Sequence, residues 1–173
     1  MRRYLSAAAL GILIVAPAGA VDLPARKPGL WEIRMTSDGP QPAGQIMQQH
    51  CIDAATDKLL QDKFSGEQAA CSQRDVSRSG STMVIDASCK IANRTSHMHT
   101  VIEGDFDSAY TMKVSVSLEA DPGRGQQATK RDMTLNAKWL GPCKPGQKAG
   151  DIEMPNGMKM NILDLPGGAP SHK

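Results

Sequence analysis

Aromatic side chains are scarce: two tryptophans, two tyrosines and two phenylalanines make up 3% of the 173 residues. The core must therefore be filled mainly by other apolar residues. Ten methionines offer flexible volume that adapts to irregular gaps. No apolar run approaches the roughly 20 residues of a membrane-spanning helix. No C-x-x-C is present, which argues against a zinc site or a thioredoxin-like redox motif. There is no G-x-S-x-G elbow, H-E-x-x-H, Walker loop or G-x-G-x-x-G. The pairs Asp105/Asp107 and Glu32/Asp38 would suit acid–base work, but aspartate-rich turns are ordinary turn chemistry. The chain reads as a non-enzyme that needs no cofactor.

What is present begins with a leader. Met1-Arg2-Arg3 is a positive n-region, Leu5–Ala16 is an apolar stretch of about a dozen residues, and Ala18-Gly19-Ala20 after Pro17 supplies a small-x-small cleavage pattern. Residues 1–20 read as a signal peptide, cleaved after Ala20, which implies a periplasmic or secreted protein with no membrane span left behind. Removing Arg2 and Arg3 takes Lys+Arg from 20 to 18, equal to Asp+Glu, so the formal charge falls to zero. A neutral chain gives no reason to propose nucleic acid as a partner.

Cys51, Cys71, Cys89 and Cys143 form an even set in an exported chain and read as two disulfides. Of three possible pairings, Cys71–Cys89 is favoured, because the two sit symmetrically about Gly80 in the turn-rich Arg78-Ser79-Gly80-Ser81. Cys51–Cys143 follows by elimination. The pairing carries a difficulty. A direct Cys71/Cys89 opposition puts Gln73, Asp75 and Ser77 on the face of Met83 and Ile85 and turns Val76 away. Either a bulge shifts the register or 71–78 is a polar edge strand.

Period-two alternation dominates the rest. Tyr110, Met112, Val114, Val116 and Leu118 oppose Thr111, Lys113, Ser115, Ser117 and Glu119. Residues 83–91, 132–139 and 30–36 repeat the pattern; 45–51 and 95–103 alternate less cleanly. One apolar and one polar side is the signature of an antiparallel sheet with a single buried face. Turns are expected at 38–40, 104–107 and 121–125. One helix is expected at 53–64, capped by Asp53, with Leu59, Leu60 and Phe64 toward the sheet. Residues 21–153 read as one β domain and 154–173 as a flexible tail rich in Met, Gly and Pro.

Two segments, Pro28-Gly29-Leu30-Trp31-Glu32 and Trp139-Leu140-Gly141-Pro142-Cys143-Lys144-Pro145-Gly146, together with the cysteine order and Gly104-Asp105-Phe106…Tyr110, resemble a family of exported bacterial proteins known as domain of unknown function 3617. The resemblance spans about residues 26–151. It implies a periplasmic or secreted home and brings no reaction with it.

Candidate binding residues are Trp31, Tyr110 and Trp139, aromatics able to stack on a ligand at a cavity mouth. Candidate metal ligands are His97 and His99, same-face neighbours on a strand, with Met154, Met158 and Met160 as soft thioether donors suited to Cu(I). His50, beside Cys51, is a further donor.

The expected fold is all-β: a curved antiparallel sheet or incomplete barrel of six to eight strands with one short helix and two disulfides. The expected role is a non-catalytic binding or interaction module of the cell envelope, taking a small apolar ligand or an envelope protein. The alternative is a periplasmic copper-binding protein.

Overall fold

The structure, a computed structural model, describes residues 23–38, 45–64, 70–91 and 93–165; the expected signal peptide lies outside them. Nine strands form one antiparallel sheet that does not close. They are β1 (Gly29–Asp38), β2 (Ile46–Ile52), β3 (Ala70–Ser79), β4 (Thr82–Ile91), β5 (Arg94–Asp105), β6 (Ala109–Leu118), β7 (Thr129–Gly141), β8 (Asp151–Glu153) and β9 (Lys159–Asn161). The order across the sheet is β3-β4-β5-β6-β7-β1-β2-β8-β9. A five-strand meander thus meets the β1–β2 hairpin through the β7–β1 pair, and β8 joins at β2.

Cross-strand partners share a face, so the register sorts every strand residue. Tyr110 opposes Ala137, which opposes Ile33. Met112 opposes Ile102, which opposes Met83. These residues define the apolar face. Its centre is buried by Trp31, Ile33, Ile85, Ile102 and Ile152, with methionines such as Met35, Met112 and Met160 packed round them. The polar face carries His97, His99, Ser115 and Asp132.

The single helix among the described residues, α1 (Ala54–Phe64), starts as the sequence predicts. The Thr56 amide donates to Asp53 Oδ1 at 2.8 Å, and the Asp53 amide donates back to Thr56 Oγ1 at 3.0 Å, a reciprocal cap. Leu60 is buried and Leu59 joins the core; the Phe64 side chain lies outside the described residues. The helix packs against β2 and a 3-10 turn at Ile162–Asp164.

Both disulfides form as expected, Cys71–Cys89 and Cys51–Cys143. The register conflict is resolved by a bulge between Cys71 and Gln73, after which Val76 opposes Ile85 and returns to the apolar face. The strand is also an edge strand, so both expected remedies operate.

The end of the chain differs from the expectation of a tail from 154. Residues 151–161 form the β8–β9 hairpin, and Ile162 is wholly buried. The Asn161 side chain donates to Ala149 O and Asp151 Oδ1 and accepts from the Leu163 amide, fastening the 3-10 turn. Each strand is three residues long, too short for alternation to reveal. Residues 166–173 lie outside the described residues.

Candidate functional site

The three candidate aromatics are brought together, Trp31 and Tyr110 in the interior and Trp139 partly exposed beside them. Trp31 is 0% exposed. Its indole N–H donates to Lys27 O at 2.8 Å, and its ring lies 5.9 Å from that of Tyr110. Tyr110 is buried and stacked on Phe106 at 4.5 Å; burial raises its hydroxyl pKa. Trp139 opposes Trp31 across the β1–β7 pair, donates its N–H to Pro28 O at 3.2 Å and takes Lys27 Nζ over its ring at 3.9 Å. The segments around Trp31 and Trp139 therefore make one knot. The backbone approach there is close: a Cβ on Gly29 (φ 133°) would meet Gly141 O and Trp139 Nε1. The rings of Trp31 and Tyr110 are occupied by packing, while Trp139 stays partly exposed.

Beside this knot lies a buried polar cluster that periodicity does not reveal. Arg26 donates through its amide and Nε to Asp57, both at 2.8 Å, and Gln61 Nε2 adds a bond at 3.0 Å. Asp57 is wholly buried. His50 on β2 faces the same region. Burial, helped by the nearby Arg26 charge, lowers its pKa to about 3. Its Nε2 lies 2.9 Å from Gln48 Oε1, while its buried Nδ1 has no partner among the described residues.

The candidate metal residues divide. His97 and His99 lie side by side on the polar face of β5, lining a shallow depression of about 300 Å³ with Asp86, Ser88, Ser117 and Lys130. A second depression, about 320 Å³, adjoins it and shares His99 and Ser115. The methionines belong elsewhere: Met160 opposes Ile152, which opposes His50, on the apolar face six strands away from β5. No group of three or more His, Cys, Asp or Glu placed to hold a metal occurs among the described residues. The structure does not bring the histidines and methionines into one ligand set.

The histidines have closer partners. His97 lies 3.0 Å from both Ser88 Oγ and Glu119 Oε1; His99 Nδ1 lies 2.7 Å from Asp86 Oδ1. The His97 hydrogen bond is the main reason that the Glu119 carboxyl pKa is lowered. Ser88–His97–Glu119 has the composition of a hydrolytic triad. Yet Ser88 sits mid-strand between β3 and β5, where backbone amides face into the ladder rather than toward a developing oxyanion. The arrangement is cross-strand polar pairing on a solvated face.

The remaining feature is the meander's share of the apolar face, where Ile85 and Thr100 are buried, 8% and 4% exposed, while their row-mates are partly exposed. α1 is seated on β2 and the 3-10 turn, and its Leu60 shares one core cluster with Met83, Ile85 and Ile102 of the meander. Val76, Ile85, Thr100, Val114 and Met133 form one row across β3 to β7. Val76 is 42% and Met133 40% exposed at its two ends, and Val114 is half-buried between them. The adjacent row is Arg74, Ala87, Met98, Val116 and Arg131. Sequence reasoning misses this surface because finding it requires the bulge in β3 and the cross-strand register.

A family model for proteins of unknown function, DUF3617, matches residues 26–143. The chain belongs to the DUF3617 family. The match starts at Arg26, the buried partner of Asp57, and ends at Cys143, so the DUF3617 region contains the knot, both disulfides and the whole meander. No curated protein and no solved structure matches the chain. No helix among the described residues is long and apolar enough to cross a membrane.

Proposed function

We propose that this DUF3617 protein is exported, loses residues 1–20, and works in the periplasm or outside the cell as a non-catalytic binding module that takes an apolar molecule at the partly exposed meander part of its apolar face. The observation that carries the reading is the set of partly exposed apolar side chains Val76, Val114 and Met133, which flank buried Ile85 and Thr100 on the meander. Apolar surface left beside a polar rim is a recurrent mark of binding sites. The leader pattern and the paired cysteines support export.

The test uses N-phenyl-1-naphthylamine, a neutral dye that fluoresces when removed from water. Saturable enhancement with the secreted form, reduced at least tenfold in affinity by Val114→Asp, is expected. Thr111→Asp, on the polar face of β6, should leave it unchanged. Absence of saturable enhancement, or equal loss in both variants, would remove the site. Recovery of the protein from cells with residues 1–20 intact would remove the export step.

A further inference from the structure

We infer that the molecule taken on the apolar face is an anionic amphiphile with a single alkyl chain and a carboxylate head; this rests on the reading of that face as a binding surface. The argument comes from how charge is divided between the two faces. Every carboxylate carried by the strands, from Glu32 on β1 to Glu153 on β8, falls on the polar face by register. The cations on the apolar face are all arginines: Arg74 and Arg78 on β3, Arg94 on β5 and Arg131 on β7. The strand lysines lie on the polar face, among the acids. The one carboxylate that α1 buries, Asp57, is already taken by Arg26 and Gln61.

Two of these arginines end the same row. Arg74, whose Nη2 has a long contact of 3.8 Å with Cys71 Sγ, flanks buried Ala87, then Met98 and Val116 follow, and Arg131 closes the far side. Arg131 is exposed and makes no ion pair among the described residues. Arg94 is not available, since it donates to Glu119 O and Gln127 O, both at 2.8 Å. A guanidinium fork beside apolar surface matches a planar carboxylate with two parallel hydrogen bonds. Four strand spacings separate β3 from β7, about 19 Å, a span suited to an extended chain. The Val76 and Arg74 rows lie about 7 Å apart, width for one chain between them. The head would sit at Arg131 or Arg74, with the chain lying over Met98, Val114 and Val116.

The experiment displaces the neutral dye from the exported form with dodecanoate, dodecanol and dodecyl phosphate, each kept below its micelle concentration. Dodecanoate is expected to displace at a concentration at least tenfold lower than dodecanol. Lengthening the acid by two methylenes should tighten binding about tenfold. Arg74→Gln with Arg131→Gln should bring dodecanoate to the level of dodecanol without changing dodecanol itself. Lys130→Gln on the polar face should change neither. Dodecanol equal to dodecanoate, or a preference that survives the double arginine variant, would overturn the anionic head while leaving an apolar site in place. Tighter displacement by dodecyl phosphate than by dodecanoate would overturn the carboxylate. Failure of the dye to bind at all would instead remove the underlying binding reading.

Discussion

Asp57 and His50 each set a condition on stability. Arg26 and Asp57 are 8% and 0% exposed, so removing one partner strands the other as an unpaired buried charge. Asp57→Ala should cost about 3–5 kcal/mol in urea unfolding, and a joint replacement, Arg26→Met with Asp57→Leu, should regain most of it; equal losses in both would refute the pair as the cause. His50 acts through pH. The native imidazole stays neutral down to about pH 3, whereas the unfolded one accepts a proton from about pH 6.5. Its contribution is therefore complete above pH 6.5 and is lost as pH falls from there toward 3. The loss is about 1.4 kcal/mol per unit, hence about 2 kcal/mol by pH 5. In His50→Leu the fall in stability between pH 7 and pH 5 should be smaller by that amount; identical slopes would show that His50 does not titrate this way. Neither residue announced its role in sequence. Asp57 sits in a helix of mixed polarity, and His50 stood out only as a donor beside a cysteine. Trp31 was legible as a key residue, but its sequence does not distinguish a ligand platform from a core anchor; its complete burial does.

Strand alternation made β1, β4, β6 and β7 legible, and the Asp53 cap made α1 legible, because each follows from local chemistry. The bulge in β3 was visible as a conflict between the cysteine pairing and the position of Val76. Its resolution required the cross-strand register. The β8–β9 hairpin was hidden, since three-residue strands carry no period and their order depends on Ile152 and Ile162 being covered by distant elements. At this scale the two disulfides should differ. Cys51–Cys143 spans 92 positions and Cys71–Cys89 spans 18. Loop-closure entropy assigns them about 4.6 and about 3 kcal/mol. Alanine replacement of both cysteines of the first bridge should lower the denaturation midpoint more than replacement of the second; the reverse order would show that local packing outweighs loop length. Gly29→Ala should also destabilise, by about 2 kcal/mol or more, because its backbone conformation and its contact with Gly141 both reject a Cβ. A midpoint within experimental error of the parent would contradict that close approach.

At the level of the molecule, fold class and disulfide framework followed from alternation, cysteine parity and turn chemistry, whereas the row of partly exposed apolar residues on the meander did not. That surface is assembled by the register of the five meander strands, which sets Val76, Val114 and Met133 in one row. Which apolar residues remain uncovered is decided by topology, and no local pattern encodes it. The division of arginines from carboxylates is likewise a property of register: Arg131 and Asp132 are adjacent in sequence and lie on opposite faces.

The bridge between Cys51 and Cys143 has a mechanical consequence. The loop it closes contains α1 and all of β3 to β7, while β1, most of β2, β8 and β9 lie outside it. Tension applied at the two ends of the oxidised chain would pass through the sulfurs and bypass the meander. Only the outer strands would peel away, and the Val76 and Arg74 rows would stay assembled under load. Reduction of this bridge should release a further length of about 300 Å on extension, so a force–extension trace that gains nothing on reduction would show that the load takes another path.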